Sequence, residues 1–227
     1  MTLAVVSGAS RGIGRSVALE LSRRGTQLIL LGRASLAMTE TEQLLKHGGS
    51  VFESKAADLA DEESVISACK QILAKHGAPD IVVNNAGTIE RQSVEQTSIA
   101  AWDRQLDVNL RAPFLITREM LPALRANGRG RIIHVASISA TVGSSQAAAY
   151  SASKWGLVGF MKSLAEELRD SGLMTVAILP GSVDTDMLKG SGFAPRMTAD
   201  DVAKTIAHYA LDAPLAHNGS VIEMFGV

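Results

Sequence analysis

Residues 3–25 read LAVVSGASRGIGRSVALELSRRG: an apolar run, a glycine-rich turn and an amphipathic segment in direct succession. The run from Leu3 to Gly8 has the length and unbroken apolarity of a strand buried on both faces. From residue 13 to about 24 the apolar positions return at helical spacing. Between these segments stand Gly8, Gly12 and Gly14, and without Cβ atoms the backbone can turn tightly and let another group come close. Amide N–H groups at a helix start carry the positive end of the macrodipole, so the turn suits an anion such as a pyrophosphate. A lone glycine loop is a weak signal; its place between the first strand and the first helix gives it weight.

The same alternation runs through the rest of the chain. Apolar runs of strand length lie at 27–32, 50–55, 80–87, 130–137, 174–181 and 220–226, and helix-like segments lie near 39–47, 61–75, 99–126, 150–171 and 198–211. Most of the runs are continuously apolar. The pattern predicts an α/β fold, a doubly wound parallel sheet of about seven strands with helices on both faces. Asp61 and Thr198 stand at helix starts, and Gly48, Gly77 and Gly172 at helix stops. The least regular stretch is 182–197, SVDTDMLKGSGFAPRM. Ligands of parallel sheets bind beyond the carboxyl ends of the strands, so a loop leaving such an end is the natural lid.

At 227 residues the chain fits one domain spanning 1–227. Apolar residues make up 46% and charged residues 20%, with a net charge of −1, which argues against disorder and against nucleic acid or a membrane surface as a partner. The single cysteine, Cys69, lies in a helical apolar pattern and reads as a buried structural thiol. The apolar run at Leu3 leads straight into the glycine loop and leaves no room for a signal peptide, so a cytoplasmic location is expected. His47, His76, His134, His208 and His217 are scattered without ligand spacing, and no metal site is expected.

Residues 147–156, AAAYSASKWG, place Tyr150 and Lys154 four apart, on one face of a helix. A cation beside a phenol favours phenolate and draws the tyrosine toward the range where it can exchange protons. By itself the pair could be an accident of spacing.

Taken together, Gly8-x-x-x-Gly12-x-Gly14, Asn84-Asn85-Ala86-Gly87, Tyr150-x-x-x-Lys154 and Pro180-Gly181 resemble the motifs of the short-chain dehydrogenase/reductase family. The resemblance covers essentially the whole chain, in the family's order and spacing, and implies a Rossmann-type fold. It further implies that Ser137, thirteen residues before the tyrosine, polarises a substrate carbonyl, that Tyr150 is the acid and base, and that Lys154 holds the nicotinamide ribose. Asn109 matches the asparagine that supports a water-linked proton path to that lysine. On the residues alone, Ser137 reads equally as a turn or helix-cap serine.

The resemblance also assigns a cofactor site: Gly8, Ser10, Arg11, Gly12, Ile13 and Gly14 in the loop, Asp58 and Leu59 at the adenine, and Asn85, Ala86 and Gly87 along the cleft. Tyr150 and Lys154 share it, with Pro180, Gly181, Val183 and Thr185 at the nicotinamide. Thr185 could instead cap a short helix at Asp186. NAD-preferring relatives carry an acidic residue at the end of the second strand, where Gly32 and Arg33 stand here. With Arg11, two cations and no carboxylate would favour the 2′-phosphate of NADP(H).

The expected reaction is NADPH-dependent carbonyl reduction, or alcohol oxidation in reverse, on a small-molecule substrate. Ser139, Gln146, Met187 and Phe193 are candidate pocket residues. Gln146 and the stretch from Arg131 to Lys154 most resemble the 3-oxoacyl-carrier-protein reductases, the alternative reading. Gly128 and Ser171 stand where those enzymes carry docking arginines, and Glu166, Glu167 and Asp170 would repel an acidic carrier. The chain closes in MFGV rather than a glycine pair and longer tail, so pairing into a homodimer or homotetramer is expected through 99–126 and 150–171. A non-catalytic NADPH-binding sensor or scaffold is the remaining alternative, and it would have no need of Ser137, Tyr150 and Lys154 together.

Overall fold

The computed structural model describes residues 2–226; Val227, the last residue of MFGV, lies outside them. Among these residues seven strands form one sheet: β1 (Leu3–Ser7), β2 (Gln27–Gly32), β3 (Phe52–Ala56), β4 (Ile81–Asn84), β5 (Gly130–Val135), β6 (Leu173–Pro180) and β7 (Val221–Met224). Their order is β3-β2-β1-β4-β5-β6-β7, and every neighbouring pair is parallel. The chain first winds outward from β1 to β3 and then restarts on the other side of β1 with β4. That reversal opens a crevice at the carboxyl ends of β1 and β4.

The helices are α1 (Gly12–Arg23), α2 (Leu36–His47), α3 (Glu62–His76), α4 (Ile99–Leu106), α5 (Ala112–Asn127), α6 (Ala148–Glu167) and α7 (Ala199–Leu211). Because side chains alternate across a strand, Ala4 and Val6 face the layer of α1 and α7, while Leu3 and Val5 face that of α3 and α5. Leu28 and Leu30 divide from Ile29 and Leu31 in the same way. Burial on both sides is the reason these strands read as continuous apolar runs.

Asp61 caps α3 by accepting from the Glu63 and Ser64 amides, and Thr198 with Asp201 forms a reciprocal capping box on α7. Three boundaries differ from expectation. The segment expected as one helix over 99–126 is broken by a π-helical turn at Asp107–Arg111. Helix α2 begins at Leu36, where the Ser35 hydroxyl accepts from the Met38 amide. Helix α6 ends at Glu167, before Asp170 with φ of +58°, and Gly172 serves the turn into β6.

Candidate active site

A cavity of about 1500 Å³ lies over the carboxyl ends of the strands, and its rim runs from the glycine loop to the segment after β6. At its floor β1 and β4 are stapled together. The Ser7 hydroxyl accepts from the amides of Asn85 (3.0 Å) and Ala86 (3.1 Å), while the Asn85 side chain donates to Ser7 O and Gly8 O at 3.0 and 3.2 Å. The glycines here have no room for a side chain. A Cβ on Gly8, whose φ is +68°, would lie 2.7 Å from Ala86 Cα, and one on Gly14 would strike Gly8 O and the Asn85 amide. This bare backbone ahead of α1, with the start of that helix facing an open crevice, fits a dinucleotide's phosphates.

Gly8, Ser10, Arg11, Gly12, Ile13, Gly14, Arg33, Asp58, Leu59, Asn85, Ala86 and Gly87 all line this cavity, as do Pro180, Gly181, Val183 and Thr185. Arg33 is exposed at the end of β2. Arg11 pairs with Asp186 at 2.8 Å, and both partners face solvent, so little energy holds the pair closed. Thr185 stands at the start of a 3₁₀ turn over Asp186–Leu188 without a side-chain capping bond, its hydroxyl donating instead to Val183 O at 3.4 Å.

Tyr150 and Lys154 are buried on α6 and open into the same space with Ser137. Ser137 ends no strand: β5 stops at Val135, and the serine caps a 3₁₀ turn at Ile138–Ala140, accepting from the Ser139 amide at 3.1 Å. Burial pushes the Tyr150 phenol above its ordinary value, with the Ser137 hydroxyl and the Arg91 cation pulling against it. This revises the expectation that Lys154 tunes the phenol. Burial lowers the lysine itself to about 8, and its ammonium donates to Val135 O at 2.9 Å, 5.6 Å from the centroid of the tyrosine ring.

Asn109 is fully buried in the π turn and lies behind the cavity wall. Its Oδ1 accepts from the Thr88 amide (2.8 Å), and its Nδ2 donates to Thr88 O (2.9 Å) and Ser153 Oγ (3.0 Å). The side chain thus clamps the strand-end loop after Gly87 to α6. A π turn also leaves backbone carbonyls out of register with their i+4 amides, so a helix can afford an asparagine there.

Ser139, Met187 and Phe193 line the cavity, and the Tyr150 hydroxyl donates to Met187 Sδ at 3.9 Å. Gln146 does not line it. Its backbone is left-handed, with φ of +57°, its carbonyl accepts from the Gln92 amide at 3.0 Å, and its side chain is exposed. One contributor went unrecognised in the sequence: Ser7, whose role exists only once β1 and β4 are adjacent.

Away from the cavity, burial raises the Cys69 thiol to about 12, which leaves it an inert core group. The same cause lowers His134 to about 3, so this buried imidazole stays neutral, its ring edge-on to Phe160 at 5.6 Å. Among the described residues no three acidic, histidine or cysteine side chains group to hold a metal ion, and no helix is long and apolar enough to cross a membrane.

The family model for short chain dehydrogenase matches residues 2–193, from β1 through α6 and into the segment after β6. The chain is a short-chain dehydrogenase. Within the family it is 30% identical to the 3-oxoacyl-[acyl-carrier-protein] reductase FabG of Escherichia coli, over 99% of this chain and 96% of that one. A putative NAD(P)-dependent gluconate 5-dehydrogenase from Beutenbergia cavernae, solved with NADP bound at low occupancy, superposes with a TM-score of 0.91 at 32% identity, covering 98% of this chain and 94% of its own. A metagenomic short-chain oxidoreductase in complex with NADP gives 0.88 at 34%, covering 100% and 97%. This short-chain dehydrogenase is therefore an oxidoreductase of the type that uses a nicotinamide dinucleotide.

Proposed function

We propose that the protein is an NADP(H)-dependent carbonyl reductase, working in reverse as an alcohol dehydrogenase, built on one dinucleotide-binding domain with a lid at about 182–197. The observation that carries this is the buried phenol. Tyr150 is buried, its phenol pushed above its ordinary value, in a cavity lined also by the bare glycine loop and by a second hydroxyl, Ser137. A protonated acid beside an oxygen donor is the arrangement that carbonyl reduction needs. The dinucleotide, when bound, supplies the hydride.

Ser137 would hold the substrate oxygen by a hydrogen bond and polarise its C=O. Tyr150 would give its proton to that oxygen as the carbon takes the hydride, yielding the alcohol. Lys154, whose ammonium donates to Val135 O, would hold the ribose hydroxyls, and Asn109 keeps the Thr88 loop and α6 in register. Preference for the 2′-phosphate rests on Arg33 and on Arg11, whose exposed pair with Asp186 is weak enough to open. Met187 and Phe193 of the lid and Ser139 would line the substrate pocket.

The test is loss of NADPH absorbance with a panel of ketones, sugar ketones, diketones and short 3-oxoacyl thioesters, with gluconate as an alcohol for the reverse reaction. Replacing Tyr150 by Phe removes the proton donor and should lower kcat by about 10²- to 10⁴-fold. A parent that binds NADPH and reduces nothing would leave only a sensor or scaffold; an equally active Phe variant would displace Tyr150 from the mechanism.

The kinship with FabG supports a second reading, an acyl-carrier-protein substrate. The surface speaks against it. Glu166, Glu167 and Asp170 are exposed at and just past the end of α6 and would repel an acidic carrier. A small carbonyl compound therefore fits better, in a cytoplasmic enzyme that pairs through the faces of α4, α5 and α6, where Trp102, Phe114 and Trp155 are exposed.

A further inference from the structure

Arg91 enters the cavity from the loop after β4, and the residues on either side of it are tied down. The Glu90 amide donates to Oε1 of the buried Gln105 at 3.1 Å, the Gln92 amide donates to Gln146 O at 3.0 Å, and Gln92 bridges to Ala147, three residues before Tyr150. This bridge sets the arginine's loop beside the start of α6, the helix that carries Tyr150. The arginine's cation is felt there, since Arg91 is one of the groups drawing the phenol down.

The guanidinium itself is poorly satisfied. Its Nε is buried with no hydrogen-bond partner, and an Nη reaches only Met187 O, at 3.4 Å. Among the described residues it has no carboxylate partner; its neighbour Glu90 bonds to the Gln92 side chain at 2.9 Å instead. A buried donor of a charged group left unpaired is costly, so a fixed arginine in this state is poised for an anion that arrives from outside. Arg104 of α4 adds a second cation to the same cavity. The dinucleotide's phosphates have donors and cations of their own in the bare glycine loop, Arg11 and Arg33, and need neither of these.

We propose that Arg91 recognises the carboxylate of an oxo-acid substrate and thereby places its ketone carbon beside Tyr150 and Ser137. The planar fork of a guanidinium matches a carboxylate with two parallel hydrogen bonds, which fixes direction as well as charge. The substrate class is thus a short ketone bearing a free acid, and this rests on the reductase reading above.

The test measures kcat/KM with NADPH for 2-, 3- and 4-oxopentanoate and for the ethyl ester of each. The acid and its ester share the ketone and differ in the charge. In the parent at least one acid should exceed its ester by tenfold or more. In Arg91→Gln that acid-to-ester ratio should fall by about 100-fold, the scale of a lost charge-assisted pair, and Arg91→Lys should restore part of it. NADPH binding by fluorescence, which does not depend on Arg91, reports that each variant is folded. A parent that favours the esters, or a ratio that survives in Arg91→Gln, overturns the inference and leaves the reductase standing. A parent that reduces no ketone of any kind overturns both.

Discussion

The two ends of the cavity are built on different principles. At the nucleotide end the walls are strand termini and a helix start, pinned by the Ser7 and Asn85 bonds, with glycines wherever a side chain would collide. At the substrate end they are loops. The 182–197 segment is closed at its base, where the Asp184 amide donates to Met197 O at 3.0 Å and the Arg196 amide to Ser182 O at 2.8 Å; beyond that it is held by the exposed Arg11–Asp186 pair and by long bonds from Arg91 and Tyr150 to Met187, while Phe193 stands largely in solvent. The first end is fixed by backbone geometry, which tolerates almost no change. The second is defined by side chains on connecting segments, where related enzymes can vary their substrates without disturbing the sheet.

The sharpest way to break this contrast is at Gly14. Its Cβ would be driven into Gly8 O and the Asn85 amide, both parts of the staple, so neither can move aside without loosening β1 from β4. Gly14→Ala should cost about 1–3 kcal/mol of stability, a fall in Tm of roughly 2–12 °C for a chain of this size, and should weaken NADPH binding by 100-fold or more. Thermal melting and a fluorescence titration read the two effects. A variant with wild-type NADPH affinity would mean that the loop is not a rigid template.

Arg33 probes the same end without touching its frame. It is exposed and lies beyond the last residue of β2, so Arg33→Ala should leave the melting temperature unchanged within about 1 °C, as surface substitutions do. The preference for NADPH over NADH should drop by about 10- to 50-fold, the range of one charge-assisted phosphate contact. An unchanged preference would shift the discrimination to Arg11, which would then have to leave Asp186.

How much of each end could be read in advance follows the same division. The strands were legible because burial on both faces leaves an uninterrupted apolar signature, and the glycine loop because its constraint is steric and local. The break at Asp107–Arg111 was not, since five residues are too few to separate a 4.4-residue period from a 3.6-residue one. Gln146 looked like a pocket residue only until its left-handed backbone turned the side chain outward. Arg91 owes its position to a bridge between Gln92 and Ala147, a pairing that no local pattern announces. For Tyr150 the sequence displays the lysine four residues on but not the burial, and burial sets the direction of the shift.

Met187 offers the smallest effect and the finest test of the substrate end. Its thioether receives the Tyr150 hydroxyl at 3.9 Å, a weak bond standing where a substrate oxygen would have to come, and the side chain is 38% exposed. Substrate must therefore displace it, and that displacement subtracts from binding. Against this, a methionine lying over the phenol keeps water from it and can repack against an apolar group. Met187→Ala removes the competitor and the cover together. Little apolar area is lost from a half-exposed side chain, so Tm should fall by no more than about 2 °C. KM for a small ketone should shift about two- to fivefold, while kcat declines by a similar factor as the phenol is wetted. A loss as large as that expected at Tyr150 would make the lid part of the chemical apparatus rather than a replaceable wall, and the contrast between the two ends would fail at its weaker side.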